Sequence, residues 1–210
     1  TQGRRLLWGW LWEGRAEQAQ LAAGWAGVMS LPRLLSLLPD GAVGFAPAPE
    51  LESLRAQAWS WHDLQLTSAA AHVLAEVQSE SLEIMAEFAP NAAPAFGIDV
   101  RCSADGSERT RIIYDRARQR LEIDRSQSSA DDADQHDTYG DRLALEAGES
   151  LTLRVFVDHS VLEVFANGRL CLTSRIYPAE TSLSVALFAQ AGSVNVSALH
   201  AWNMRSIWSD

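Results

Sequence analysis

The sequence is short of the residues that most often announce a binding chemistry. It has two cysteines in 210 residues, Cys102 and Cys171. They stand at no metal-ligand spacing, so both read as small buried hydrophobes, and neither fixes a redox compartment. The five histidines are scattered, with no H-x-x-x-H or H-E-x-x-H arrangement, which argues against a zinc site. Basic residues are in deficit. Seventeen against 27 acidic ones leave a net charge of −10, which repels phosphate backbones and offers no basic stripe to nucleic acid or anionic lipid. No run approaches the roughly 18 to 20 apolar residues of a membrane helix. The N-terminal TQGRRLLWGW lacks the apolar stretch and small residues of a secretory leader and reads as a cut made inside a domain. Any signal peptide would precede Thr1, so cytoplasmic and secreted locations both stay open.

What is present is an ordinary globular composition, 47% apolar and 21% charged, long enough for one full core and a second partial unit. Near the start, GRRLLWGWLWEGR carries Trp8, Trp10 and Trp12, which share a face if the segment is a strand. After a polar stretch, Val28 to Leu38 is apolar and Pro39-Asp40-Gly41 supplies a turn, as in one hairpin of a larger sheet. Pro47 and Pro49 break the pattern, and Glu50 to Ala58 has the composition of a short connecting helix. From about Trp59 onward the chain becomes a succession of short alternating runs separated by turn residues, the mark of an all-β sandwich. In LTLRVFVD, Leu151, Leu153, Val155 and Val157 share a face; Asp158-His159-Ser160 turns the chain into VLEVFA, and Asn167-Gly168 turns it again into RLCLTSR. SLSVALFA and VNVSALHAWNM supply two more strands. The Ala- and Glu-rich TSAAAHVLAEVQSESLEIMAEF favours helix by propensity, yet Leu82, Ile84, Ala86 and Phe88 alternate with Glu83, Met85 and Glu87, which predicts strand for its second half. DRSQSSADDADQHDTYGD, with Asp131, Asp132, Asp134, Asp137 and Asp141, is unpatterned and predicts an exposed loop.

Three segments together resemble one family. LRVFVDHSVLEVFANGRLCLTSRIYP, Leu153 to Pro178, is similar to the signature of the C-terminal sandwich of family 32 glycoside hydrolases, the invertase, levanase and inulinase group. GWAGVMSLPRLLSL with the upstream LLWGW resembles the fifth propeller blade of those enzymes, and PAPELESLR resembles the linker between the two. The resemblance implies an all-β chain in three parts: residues 1–49 a remnant of the last blade of a five-bladed β-propeller, 50–58 a linker, and 59–210 an antiparallel β-sandwich. It also implies a parent β-fructofuranosidase that hydrolyses terminal β-fructosyl bonds of sucrose or fructan by a retaining double displacement, without cofactor. That chemistry needs a nucleophilic carboxylate and an acid/base carboxylate about 5 Å apart. The family carries its carboxylates in N-D-P, R-D-P and E-C stretches, and this sequence contains no Asn-Asp, Asp-Pro, Arg-Asp or Glu-Cys pair. No catalytic residue is therefore assigned here. The expectation is an inactive fragment that stabilises the N-terminal propeller portion, its natural partner.

Within that frame, Trp25 matches a blade-five position where an indole would lie beside the fructosyl unit, and Trp10 is a second substrate-lining candidate in the complete enzyme. Asp158 and Glu163 could be proposed as an acid/base pair on spacing alone. The plainer reading has Asp158 capping a turn and Glu163 pairing with a base such as Arg175. The acidic loop offers hard oxygen ligands but lacks the Gly and terminal Glu of a calcium loop, so no metal is assigned. Eight tryptophans motivate an alternative from another class, a non-catalytic fructan-binding module, which would show two or three coplanar Trp on one exposed face. Trp202 and Trp208, in the terminal strand region, read instead as sealing a core or docking on the propeller. An open blade would also expose strand edges and apolar faces, so a homo-oligomer is admitted.

Overall fold

The structure is a computed structural model that describes residues 3–130 and 136–208. The N-terminal part begins with β1 (Arg5–Leu7) and β2 (Trp10–Leu11), followed by a short helix α1 (Glu17–Ala23) and the strands β3 (Val28–Met29), β4 (Arg33–Leu37) and β5 (Val43–Pro47). β1, β4 and β5 make a three-stranded antiparallel sheet, and β2 pairs with β3 beside it. The predicted hairpin around Pro39-Asp40-Gly41 is β4–β5, closed by Leu38 and Ala42, with the Asp40 carboxylate accepting from the Ala42 N–H at 3.0 Å. The three early tryptophans do not share one strand: the chain leaves β1 before Trp8 and re-enters strand only at Trp10. Helix α1 lies in the polar stretch for which no element was expected. None of its residues is buried, and Gly24 in the left-handed region (φ 75°) ends it.

The connecting segment is less helical than its composition suggested. A 3-10 turn spans Pro49–Leu54, and Arg55 already opens β6 (Arg55–Thr67). From there the strands run β7 (His72–Gln78), β8 (Ser81–Phe88), β9 (Ala95–Cys102), β10 (Arg109–Asp115), β11 (Arg120–Gln127), β12 (Thr138–Arg142), β13 (Leu151–Asp158), β14 (Val161–Ala166), β15 (Leu170–Arg175), β16 (Ser184–Gln190) and β17 (Ser193–Met204). They form two six-stranded antiparallel sheets, one ordered β12-β11-β10-β9-β16-β7 and the other β15-β14-β13-β8-β17-β6. This is an all-β sandwich, as the alternating runs predicted.

Period-two burial explains the layering. Leu82, Ile84, Ala86 and Phe88 on β8 lie beside Leu151, Leu153, Val155 and Val157 on β13, all turned into the core, while Glu83, Arg154 and Phe156 face outward. Strand extends through the first half of the Ala- and Glu-rich run as well: β7 buries Leu74 and Val77, so tertiary burial overrides helix propensity there. Across the core, Phe88 meets Phe96 of the other sheet (ring centroids 5.2 Å apart), and Phe96 meets Tyr114 (5.7 Å). At Asn167-Gly168 both residues have positive φ, 48° and 65°, the geometry of a tight hairpin turn between β14 and β15.

The acidic segment is loop over a shorter stretch than expected. Asp124 to Gln127 continue β11, whose Leu121 and Ile123 anchor it in the core, and Thr138 to Asp141 belong to β12. Asp131, Asp132 and Asp134 lie outside the described residues, while Asp137 accepts from the buried Arg125 guanidinium. Cys102 and Cys171 are free and partly buried, and burial pushes their thiols up to about 12 and about 11, which keeps both protonated and unreactive.

Ile84 is fully buried on a central strand, so Ile84→Ala is expected to cost about 2 to 5 kcal/mol of unfolding free energy. Val73→Ala on the edge strand β7, where the side chain is exposed, is expected to stay within about 0.5 kcal/mol. Urea titrations of the two variants check the contrast, and equal losses would mean that the core does not sit between these sheets.

Candidate functional site

The outward face of the β13–β14–β15 ladder is covered by the N-terminal strands, and the residues that could carry chemistry gather in that seam. Its apolar part joins Leu51, Phe156 and Phe165 to Leu31, Phe45, Leu54 and Met204. Its polar part is built on two buried carboxylates. Glu163 projects outward from β14, its side chain only 1% exposed. Oε1 accepts from the Leu31 N–H at 2.6 Å, and Oε2 accepts from Arg33 Nη2 at 2.6 Å and Nε at 3.2 Å. Arg33 also donates to Thr173 on β15. Burial pushes the Glu163 carboxyl above the ordinary range, against the pull of the Leu31 N–H and the Arg33 charge.

The second carboxylate, Glu13, follows the tryptophan-rich run. It takes Arg15 in a two-pronged contact (3.0 and 3.2 Å), Arg175 Nη2 at 3.3 Å and a short hydrogen bond from the Tyr177 hydroxyl, which itself accepts from the Gly14 N–H at 2.7 Å. Burial opposes ionisation of Glu13. Hydrogen bonds from Arg15 and Tyr177 and the charges of Arg175 and Arg15 outweigh it and bring the carboxyl down to about 2.

Glu163 pairs with a base, as expected, but that base is not Arg175. Arg33 holds it instead, and Arg175 belongs to Glu13. Asp158 sits apart with its side chain 66% exposed and a carboxylate oxygen 3.8 Å from Nε2 of His159. Trp25, half exposed, has its ring within 5.0 Å of the Arg15 guanidinium carbon and 5.3 Å of that of Arg175. Along with Val28, Met29, Phe156, Asp158 and Glu163, Trp25 also walls an open cavity of about 370 Å³. Trp10 is 53% exposed and lies across the backbone of Gly27, where a Cβ would come within 2.4 Å of the indole. Gly27 has φ +72°, so only glycine both adopts that turn and leaves room for the ring.

The remaining tryptophans divide by location. Trp8 and Trp12 are exposed on the N-terminal segment, Trp59 and Trp61 pack against the sandwich core, and Trp202 carries the Arg55 guanidinium 3.9 Å above its ring. Trp208 seals nothing, since it is 78% exposed. Among the described residues no group of three or more His, Cys, Asp or Glu is placed to hold a metal ion. Arg33 and Tyr177 carried no signal in the sequence, because their carboxylate partners lie 130 and 164 positions away, and nothing local marks Glu13 or Arg15 as their neighbours.

With the sandwich, its latch and the Asp-His-Ser turn in view, comparison with known proteins is decisive. Residues 50–203 match the profile described as "Glycosyl hydrolases family 32 C terminal". The chain belongs to glycosyl hydrolase family 32. It is 32% identical over 216 residues to a levanase of Bacillus subtilis (strain 168), covering 99% of this chain and 32% of that protein. To an acid beta-fructofuranosidase of Vicia faba it is 31% identical, over 97% of this chain and 38% of the relative. The chain thus spans about a third of the length of these family 32 relatives. In fold it is similar to fructan 1-exohydrolase IIa from Cichorium intybus, with a TM-score of 0.90 at 23% identity, covering 97% of this chain and 46% of that one. A variant of that enzyme solved in complex with 1-kestose gives 0.89 at the same identity and coverage.

Replacing Glu163 by Ala strands the Arg33 charge and the Leu31 N–H in the seam, and is expected to cost about 3 to 5 kcal/mol. Limited proteolysis checks where the loss falls: the N-terminal strands should be cut before the sandwich, and uniform cleavage would refute the latch. For Glu13, a folded pKa near 2 lies below the ordinary value of 4.5, so its ionisation stabilises the fold above about pH 5 and that contribution is lost as pH falls toward 2. The gap in melting temperature between wild type and Glu13→Gln is accordingly expected to close over that window, and a gap independent of pH would contradict the assignment.

Proposed function

We propose that this chain is the C-terminal part of a β-fructosidase that hydrolyses terminal β-fructosyl bonds of sucrose or fructan with retention, and that it serves the enzyme as scaffold. On this reading residues 1–49 are a remnant of propeller blade five, 50–58 the linker and 59–210 the sandwich, with Trp25 and Trp10 lining the fructosyl site once the N-terminal propeller portion is present. Levanase and beta-fructofuranosidase relatives that cover nearly the whole chain, and a similarly folded enzyme solved with 1-kestose, support the fructoside class.

The observation that carries the scaffold role is the use made of Glu163. A retaining mechanism needs a free nucleophile and a free acid/base about 5 Å apart. Both oxygens of Glu163 are already engaged by Leu31 and Arg33, and that engagement ties the sandwich to the N-terminal strands. Asp158 is left at the surface, its side chain 66% exposed. The alternative of a fructan-binding module calls for coplanar tryptophans on one exposed face of the sandwich. Trp8, Trp10, Trp12 and Trp25 are exposed on the N-terminal segment instead, where an adjoining blade, or a second copy of the chain, would cover them.

Fructose release from sucrose and inulin tests the reading, with the purified chain alone and after mixing with the separately produced N-terminal half of a related enzyme. No release alone and release on mixing are the expected results. Release by the chain alone, abolished by Asp158→Asn or Glu163→Gln, would overturn the scaffold role and make that pair catalytic.

A further inference from the structure

Two side chains from the sandwich end reach the N-terminal segment, Arg175 at the Trp25 ring and Glu13, and Tyr177 at Glu13 and Gly14. Arg175 closes β15, and Tyr177 lies two residues further along the chain. The guanidinium carbon of Arg175 lies 5.3 Å from both the Trp25 and Tyr177 rings, and that of Arg15 lies 5.0 and 5.3 Å from the same two rings. Two cations and two aromatic rings thus make a quartet, and Glu13 binds three of its members at once. Glu13 and Arg175 are each only 4% exposed. Nη2 of Arg175 is used by Glu13 and by Ser160 Oγ at 2.9 Å, while its buried Nε and Nη1 have no hydrogen-bond acceptor among the described residues. Such unsatisfied donors are costly, and the neighbouring ring faces offset that cost only if the rings stay where they are.

The consequence runs along the chain. Trp25 stands two residues before Gly27, whose backbone is the seat of the Trp10 indole, and Trp10 stands three residues before Glu13. Fixing Glu13 and Trp25 therefore holds the chain three residues after Trp10 and two residues before the glycine on which its indole rests. We propose that Glu13, Arg175 and Tyr177 are positioning residues through which the sandwich sets the Trp25 and Trp10 faces, and hence the affinity for the fructosyl unit. This rests on the reading that those two indoles line the fructosyl site. The sandwich then acts on substrate binding without touching the sugar: binding is weakened when the rings are free to turn, while the catalytic step, carried by residues elsewhere, is affected far less.

The 210-residue chain labelled with 5-fluorotryptophan tests the positioning directly by 19F NMR, with the resonances of Trp25 and Trp10 assigned by Trp25→Phe and Trp10→Phe. Tyr177→Phe removes a single hydroxyl, and with Glu13→Gln it is expected to shift or broaden both resonances while those of Trp59 and Trp61 stay in place. Arg175→Lys, which keeps the charge without the fork, is expected to perturb Trp25 less than Arg175→Met. Unchanged Trp25 and Trp10 resonances in folded Tyr177→Phe and Glu13→Gln overturn the proposal. In the enzyme reassembled with a related N-terminal half, Glu13→Gln is expected to raise KM for sucrose about tenfold with a much smaller fall in kcat. Resonances that move while neither Glu13→Gln nor Trp25→Phe alters KM leave the positioning intact and remove the substrate-lining role of the indoles.

Discussion

A carboxylate buried on the outward face of a β-sheet is the constraint from which the rest of this chain follows. Outward positions of a sandwich strand usually meet water, and a glutamate there needs no partner. Glu163 is buried because the N-terminal strands lie over it, and once buried its charge must be met by a fixed cation and by N–H donors. Arg33 and the Leu31 N–H meet it, which fixes where β4 begins relative to β14. Glu83 repeats the arrangement on β8, two strands away in the same sheet. It is also fully buried on an outward position, gripped by Arg55 at 2.7 and 2.8 Å and by Arg154 at 2.6 Å, so the start of β6 is pinned to the same sheet. All seventeen basic residues of the chain are arginine, the cation whose planar fork suits two-pronged contacts of this kind.

The two faces of one sheet thereby follow different rules. Inward, Leu82, Ile84, Ala86 and Phe88 obey simple alternation and need only be apolar and of suitable volume. Outward, the same strand carries Glu83, whose value depends on residues supplied by the connection between the N-terminal strands and the sandwich. Loss of the covering layer would thus leave the sandwich core largely as it is but strip the Glu163 and Glu83 carboxylates of partners and expose Phe156 and Phe165. Coupling between the two parts of the chain is electrostatic and directional first, and apolar second.

This division also explains what could be read in the sequence. Strands β13 to β15, the Asn167-Gly168 turn and the β4–β5 hairpin were legible, because alternation and turn chemistry are local and each needs only a few adjacent residues. Strand β8 was legible for the same reason against its helical composition. The helix α1 was missed because EQAQLAA has no buried face to impose a period. The helix expected over residues 50 to 58 gave way to strand from Arg55, since that arginine is drawn onto Glu83 and Trp202. The seam itself was illegible. The sequence offers a base such as Arg175 as partner for Glu163, yet cross-strand geometry sets Val161, not Glu163, opposite Arg175.

That last register decides more than one ion pair. On β14 the residue opposite Arg175 is a valine, and the arginine is free to reach past the sheet end toward Glu13 and the Trp25 ring. Had Arg175 been spent on Glu163, Arg33 would have had to share its carboxylate and Glu13 would have lost one of its three side-chain donors. Glu13 would then keep only Arg15 and the Tyr177 hydroxyl to offset its burial. The two-position offset between Glu163 and Arg175 along the β14–β15 ladder distributes two arginines over two carboxylates, one latch holding the strands down and the other holding the tryptophans in place. Both latches depend on the same ladder, so a slip in its register would release them together.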